Sequence, residues 1–413
     1  MTTGKPHTAE PDMRATTDTG DGQEMPHPAD PIWAVMHPDP YPYYAQQVAR
    51  GAVERHEQLG LWVASSAADI TAVLSSGLCG VRPTDEPVPK TLLGSVAGDL
   101  FGRFVRMNDG PGHGAMKQAV HGAMNTLDSE KVAKIAGACA TQLLDGHPPD
   151  EAPLWIDRFC ADLPVACIAT LLGLPADQLK ATATDVGDFV RCVTPGGTQV
   201  AMESGKEAAS RLRDRLRSLR PSRSSERDPL LEQIAKAARA QGLEDPEWRT
   251  ANAIGLMVQS RDATAGLIGN TLLRLAADPE AREFARAHDV LTPLLREVLR
   301  HDAPIQNTRR YVVRDGFVAG RAMRAGDAIL VVLAAANRDP AANPDPDRFD
   351  KFRQNRRCFT FGLGVHECPG QLLALAVAQA GVTRLLQAGV DLARLARQHS
   401  YRASANARIP IFG

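Results

Sequence analysis

The chain has 413 residues, 44% of them hydrophobic, and a formal net charge of −1. That length and apolar content permit a large buried core, while near-neutrality leaves no basic field to hold nucleic acid or an anionic membrane. No run of about 18 apolar residues and no N-terminal apolar signal core occur, so the reading is a cytoplasmic protein with no membrane partner.

Residues 1–28 are rich in Thr, Pro, Asp and Gly and carry few large apolar groups, which predicts a disordered leader ahead of a single domain over 29–413. Asp39-Pro40 opens a helix that Gly51 ends; residues 53–64 read as a hairpin and 67–74 as a short helix. From 81 to 102 the composition shifts to Pro and Gly, which predicts a long irregular loop. The turn Asp109-Gly110-Pro111-Gly112 then feeds a helix that places His113 and Lys117 four residues apart on one face.

Helical periodicity runs through 128–240, with breaks at 146–153, 173–175, 194–197 and the charged linker 221–229. The longest helical pattern covers 248–277, about 45 Å at 1.5 Å per residue. A helix over 291–301 carries Glu297 and Arg300 at a spacing that by itself reads as a surface ion pair. Residues 310–313 and 328–333 read as strands, and 402–411 as a closing strand pair. The fold class is mainly α with a small β-rich region.

The chain is organised around Phe361-Gly362-Leu363-Gly364-Val365-His366-Glu367-Cys368-Pro369-Gly370, which runs into an apolar segment. Pro369 suits a first helical position, so Cys368 is expected at a helix N-terminus, where unpaired N–H groups lower a thiol's pKa and favour thiolate. Gly362 and Gly364 let the loop wrap closely round a flat cofactor, Gly370 lets the helix pack tightly, and His366 is placed to donate to an anionic group on it. The other cysteines of the seven have no Cys-x-x-Cys spacing, against a disulfide framework, a zinc site or an iron–sulfur site.

Phe-Gly-x-Gly-x-His-x-Cys-x-Gly followed by Leu373-Ala374 resembles the haem-thiolate loop of the cytochrome P-450 superfamily. The resemblance implies that fold, with one haem b (iron protoporphyrin IX) between the Cys368 helix and the long helix, and Cys368 as the proximal iron ligand, of the thiolate type that favours O–O cleavage. It implies propionate contacts from His113 and Lys117, lysine replacing the family's arginine, and from Arg310, with Arg309 left open. Glu297-x-x-Arg300 and Pro346-Asp347-Arg348-Phe349 resemble the family's Glu/Arg/Arg network, here Glu297, Arg300 and Arg348, which fixes the cysteine loop.

The long helix departs from the family. Gln259-Ser260-Arg261-Asp262-Ala263 stand where the family has Ala/Gly-Gly-x-Asp/Glu-Thr, so the acid is kept as Asp262 and the alcohol is lost at Ala263. Gln259 replaces a tiny residue, and Ser260 is a candidate substitute for the hydroxyl. The expected activity is a haem-thiolate monooxygenase that tailors a small-molecule specialised metabolite, with non-standard proton delivery. Separate ferredoxin, ferredoxin reductase and NAD(P)H supply electrons. The alternatives are non-monooxygenase chemistry (oxidative coupling, peroxide use, or N–O opening to a nitrene-like or dehydrated product) and a non-enzymatic haem carrier.

Overall fold

The computed structural model describes residues 27–145, 153–194, 196–219 and 229–413. Nearly all of the expected leader, and most of the breaks at 146–153 and 221–229, lie outside the described residues.

The helix Pro246–Ala277 spans 32 residues, about 48 Å. Asp245 caps it by accepting from the Glu247 N–H, Pro246 supplies a pre-set φ at its start, and Asp278 both ends it and caps the following helix Pro279–Ala287. It packs against Pro153–Leu172, Gln371–Gln387 and Val96–Arg103, so most of its length is sealed in the main hydrophobic core. Removing that much apolar surface from water, at roughly 25 cal/mol per Å2, is what fixes the helix in place.

The β-rich region holds a five-stranded sheet in the order Glu54–His56, Leu61–Ala64, Ala328–Val331, Thr308–Val312, Cys79–Gly80. The first pair is the expected antiparallel hairpin. The strands near 310 and 328 are antiparallel neighbours, with Arg310 opposite Ile329. A C-terminal pair, Ser400–Tyr401 with Pro410–Ile411, closes against the long helix.

Two segments differ from expectation. The 81–102 loop contains the helix Val96–Arg103, started by Ser95, whose side chain accepts from the Gly98 N–H. A good serine cap outweighs the Gly/Pro composition of that stretch. A small hairpin, Gly316–Val318 with Arg321–Met323, turns through Ala319 and Gly320, both at positive φ, in the mirror-image turn that matches strand twist.

Candidate active site

The cysteine loop is held by backbone and buried amides. Asn337 accepts from the Phe359 N–H (2.6 Å) and donates to the Thr360 hydroxyl (2.9 Å), which in turn donates to the Leu299 carbonyl (2.6 Å). The Cys368 N–H donates to the Phe361 carbonyl (2.9 Å), folding the strand of the loop back on itself. Gly364 has φ +69°, and a Cβ there would sit 3.2 Å from the Leu74 carbonyl, so a side chain would be both strained and crowded.

The helix that follows starts at Gln371 with Gly370 as its N-cap, not at Pro369. Cys368 therefore lies two residues outside the helix, and the Gly370 N–H donates to its sulfur at 3.4 Å. Burial pushes the Cys368 thiol up, outweighing that N–H and the positive charges of Lys117 and Arg106. This corrects the expected depression: desolvation disfavours the anion more than the helix end favours it. A metal cation bound there would supply what is missing, since a coordinated thiol is deprotonated outright.

His113 and Lys117 begin the helix His113–Met124. Lys117 donates to the Glu367 carbonyl within the cysteine loop. His113 is buried, its Nε2 has no partner among the described residues, and its ring lies 4.3 Å from that of His366. Burial lowers the pKa of both His113 and Lys117. His366 Nε2 is 2.9 Å from Asp109 Oδ1, a partner the sequence reading did not name. Arg310 is buried and donates to its neighbour's carbonyl (2.9 Å); burial, then the nearby charge of Arg106, lowers its pKa to about 10. Arg309 is only half-buried, so the strand turns Arg310 inward.

The Glu/Arg network exists with different membership. Glu297 and Arg300 are fully buried and paired at 2.7 Å. Glu297 also accepts from Arg353 (3.2 Å), Arg356 (2.7 Å) and the Asp350 N–H (3.0 Å). Arg300 donates to the carbonyls of Asn337, Pro346 and Arg348. The Arg348 side chain is 70% exposed and faces Asp350; only its backbone serves the network. Burial alone would raise the Glu297 pKa, but Arg300, Asp350 N–H and Arg356 outweigh it and hold the carboxyl below its ordinary value.

On the long helix, Asp262 is bound by Arg261 (2.9 Å) and Arg402. These two guanidiniums outweigh burial and keep the acid ionised below its ordinary pKa. The Ser260 hydroxyl donates to the Met257 carbonyl (3.0 Å). Gln259 is exposed although residues 251–255 are buried. A Cβ on Gly255 would lie 3.2 Å from Gln259 Nε2 and 3.1 Å from Phe104.

An iron porphyrin with two carboxylates fits this cradle. Among the described residues no three His, Cys, Asp or Glu side chains gather as a metal site, so a metal at Cys368 needs ligands of the kind a macrocycle provides. His113 offers an orphaned buried nitrogen, Lys117 and Arg310 offer cations, and Gly362, Gly364 and Gly370 keep the loop thin.

Residues 286–388 match the family model described as Cytochrome P450. Putative cytochrome P450 140 of Mycobacterium tuberculosis is 29% identical over 376 residues, covering 86% of this chain and 83% of the relative. The cytochrome P450 monooxygenase PikC of Streptomyces venezuelae is 28% identical, covering 86% and 85%. The crystal structure of CalO2 superposes with a TM-score of 0.77 at 25% identity, covering 94% of this chain and 99% of that one. The chain belongs to the cytochrome P450 family. This P450 is a haem-thiolate oxidoreductase whose cofactor is haem b. Among the described residues no single helix is long and apolar enough to cross a membrane.

Several residues of the site escaped the sequence reading: Arg106, Asp109, Arg353, Arg356 and Arg402. The first two lie directly ahead of His113, and their charge in an apolar stretch was a usable signal. The arginines at 353, 356 and 402 carry no local pattern.

Proposed function

We propose that this P450 is a monooxygenase acting on a small-molecule specialised metabolite, with Cys368 as the axial ligand of the haem iron. The observation that carries the assignment is the sulfur at the centre of a cradle of glycines and cations, accepting from the Gly370 N–H. The monooxygenase PikC, similar over 86% of this chain, supports the reaction class. Bound haem supplies redox-active iron and thiolate-assisted activation of oxygen. His113, Lys117 and Arg310 hold its carboxylates, and the Glu297 network keeps the loop in register. Electrons come from a ferredoxin and its NAD(P)H-dependent reductase.

Proton handling is the unusual part. Ala263 has no proton to give, Asp262 is held as a carboxylate by two arginines, and the Ser260 hydroxyl proton is engaged by its own helix. Delivery therefore falls to water or to a hydroxyl on the substrate, and Gln259 orients whichever group stands there. Positioned acid–base groups are typically worth about 10²- to 10⁴-fold. The same triple absence favours a second reading, redox-neutral chemistry that needs no delivered proton, such as N–O opening.

Cys368→Ala should abolish turnover and the thiolate-type absorption band of the reduced, carbon monoxide-treated protein. A mutant that keeps that band refutes the ligand assignment. Turnover of the intact enzyme without NAD(P)H, ferredoxin and reductase would favour the second reading over the first.

A further inference from the structure

Asp109 opens the turn Asp109-Gly110-Pro111-Gly112, which leads into the helix His113–Met124. Its two oxygens serve different parts of the chain. Oδ1 lies 2.9 Å from His366 Nε2, and Oδ2 accepts from the Val81 N–H at 2.7 Å. Val81 follows the strand Cys79–Gly80, which pairs with the strand Thr308–Val312 that carries Arg310. The fit is close. A Cβ on Gly80 would stand 2.9 Å from Asp109 Oδ2, so glycine leaves the carboxylate room that a side chain would take. One side chain thereby ties the strand of Arg310, the entry to the His113 helix and the cysteine loop.

His366 ends the 3-10 turn Gly364–His366, two residues before Cys368. Its side chain is 8% exposed against 36% for Asp109, and its ring is tilted 39° to that of His113. Its Nδ1 makes no hydrogen bond among the described residues. An imidazole held at one nitrogen keeps its plane and points the other in a fixed direction, which is how carboxylates orient the histidines of metal sites. Burial alone would raise the Asp109 pKa, but His366 and the Val81 N–H outweigh it and hold the carboxyl below its ordinary value.

A carboxylate beside a cradle for two further carboxylates repels them unless a donor stands between. His366 is the side chain that stands there, with Nε2 given to Asp109 and Nδ1 left over. We propose that Asp109 is a positioning residue for the haem: it fixes the ring of His366 so that Nδ1 meets one haem carboxylate, and through Val81 it keeps that contact in register with the strand of Arg310. This rests on the haem-thiolate reading of the Cys368 site.

The test follows the rate at which haem leaves the loaded full chain for apomyoglobin. Asp109→Ala should speed the loss of haem b about ten- to a hundred-fold, the usual cost of removing the carboxylate behind an orienting histidine, but should change the loss of haem dimethyl ester, which has no free carboxylates, less than about two-fold. In a His366→Gln background the same substitution should change haem b loss little, because its effect passes through the imidazole. Asp109→Asn keeps the size of the side chain and one acceptor oxygen; it should fall between wild type and Asp109→Ala, and it carries the same comparisons if the alanine variant does not fold. Unchanged loss of haem b from these variants overturns the proposal. So does equal acceleration for haem b and its dimethyl ester, or equal acceleration with and without His366, since either makes Asp109 a clamp on the chain at Val81 and nothing more. A wild-type protein without the thiolate-type band on carbon monoxide treatment would instead mark failure of the underlying haem-thiolate reading.

Discussion

The two sides of the site treat polar groups in opposite ways. On the cysteine side, Glu297, Arg300, Asn337 and Thr360 are buried and bonded to one another or to backbone. Across the site, Arg106 and Gln259 are exposed and have no hydrogen-bond partner among the described residues. Buried polar groups are nearly always paired, whereas exposed ones are answered by water, so the contrast separates residues that hold the fold from residues that the fold does not need. The first group should answer to stability measurements and the second to binding and product measurements.

The largest effect should come from Glu297→Gln. It leaves Arg300, Arg353 and Arg356 facing a neutral amide at a fully buried position, and breaking such a network costs about 3–5 kcal/mol. Urea unfolding should show that loss together with reduced haem content; a change under about 1 kcal/mol would erase the distinction between the two sides.

Acid should act next, through His301. Its Nδ1 faces Arg338 and Arg274, both at 3.0 Å, and its Nε2 donates to the Asp347 carbonyl (2.9 Å). Burial, with the charges of Arg338 and Arg274, pushes its pKa down to about 2. The unfolded chain takes up this proton below about pH 6.5 while the native chain does not, so stability is whole above that pH and falls as pH drops, by up to about 1.4 kcal/mol per unit. His301→Gln should flatten that part of the pH–stability curve; an unchanged slope would show that the proton is taken up elsewhere.

Gln259→Ala should leave the unfolding free energy within about 0.5 kcal/mol while changing product ratio or substrate affinity. A destabilised variant with unaltered kinetics would move Gln259 to the structural side of the comparison. The smallest effect is expected at Arg348→Ala, again within about 0.5 kcal/mol, because its side chain is 70% exposed. A loss as large as that at Glu297 would restore Arg348 to the buried network.

Much of the site was legible because its signals are short. The glycines, His366 and Cys368 lie within one loop, and His113 and Lys117 within one turn of helix, so spacing alone keeps them together. The serine cap at Ser95 was legible in principle, but Gly and Pro composition masked it. The exchange of Arg348 for Arg353 and Arg356 was not legible: all three follow the same helix by a similar distance, and only the path of the chain after Asp345, which adopts φ +47°, decides which side chains turn inward.

By itself the sequence determined a haem-thiolate enzyme of mainly helical fold, and offered Cys368 as the candidate ligand and Ala263 as the candidate place of a missing alcohol, since each depends on residues within a turn or two of one another. Tertiary structure alone decided that the Cys368 thiol is raised by burial, that Asp262 is locked between two arginines, and that Arg106 is left unpaired. Desolvation and ion pairing depend on what packs around a group from distant parts of the chain, and no local spacing records that.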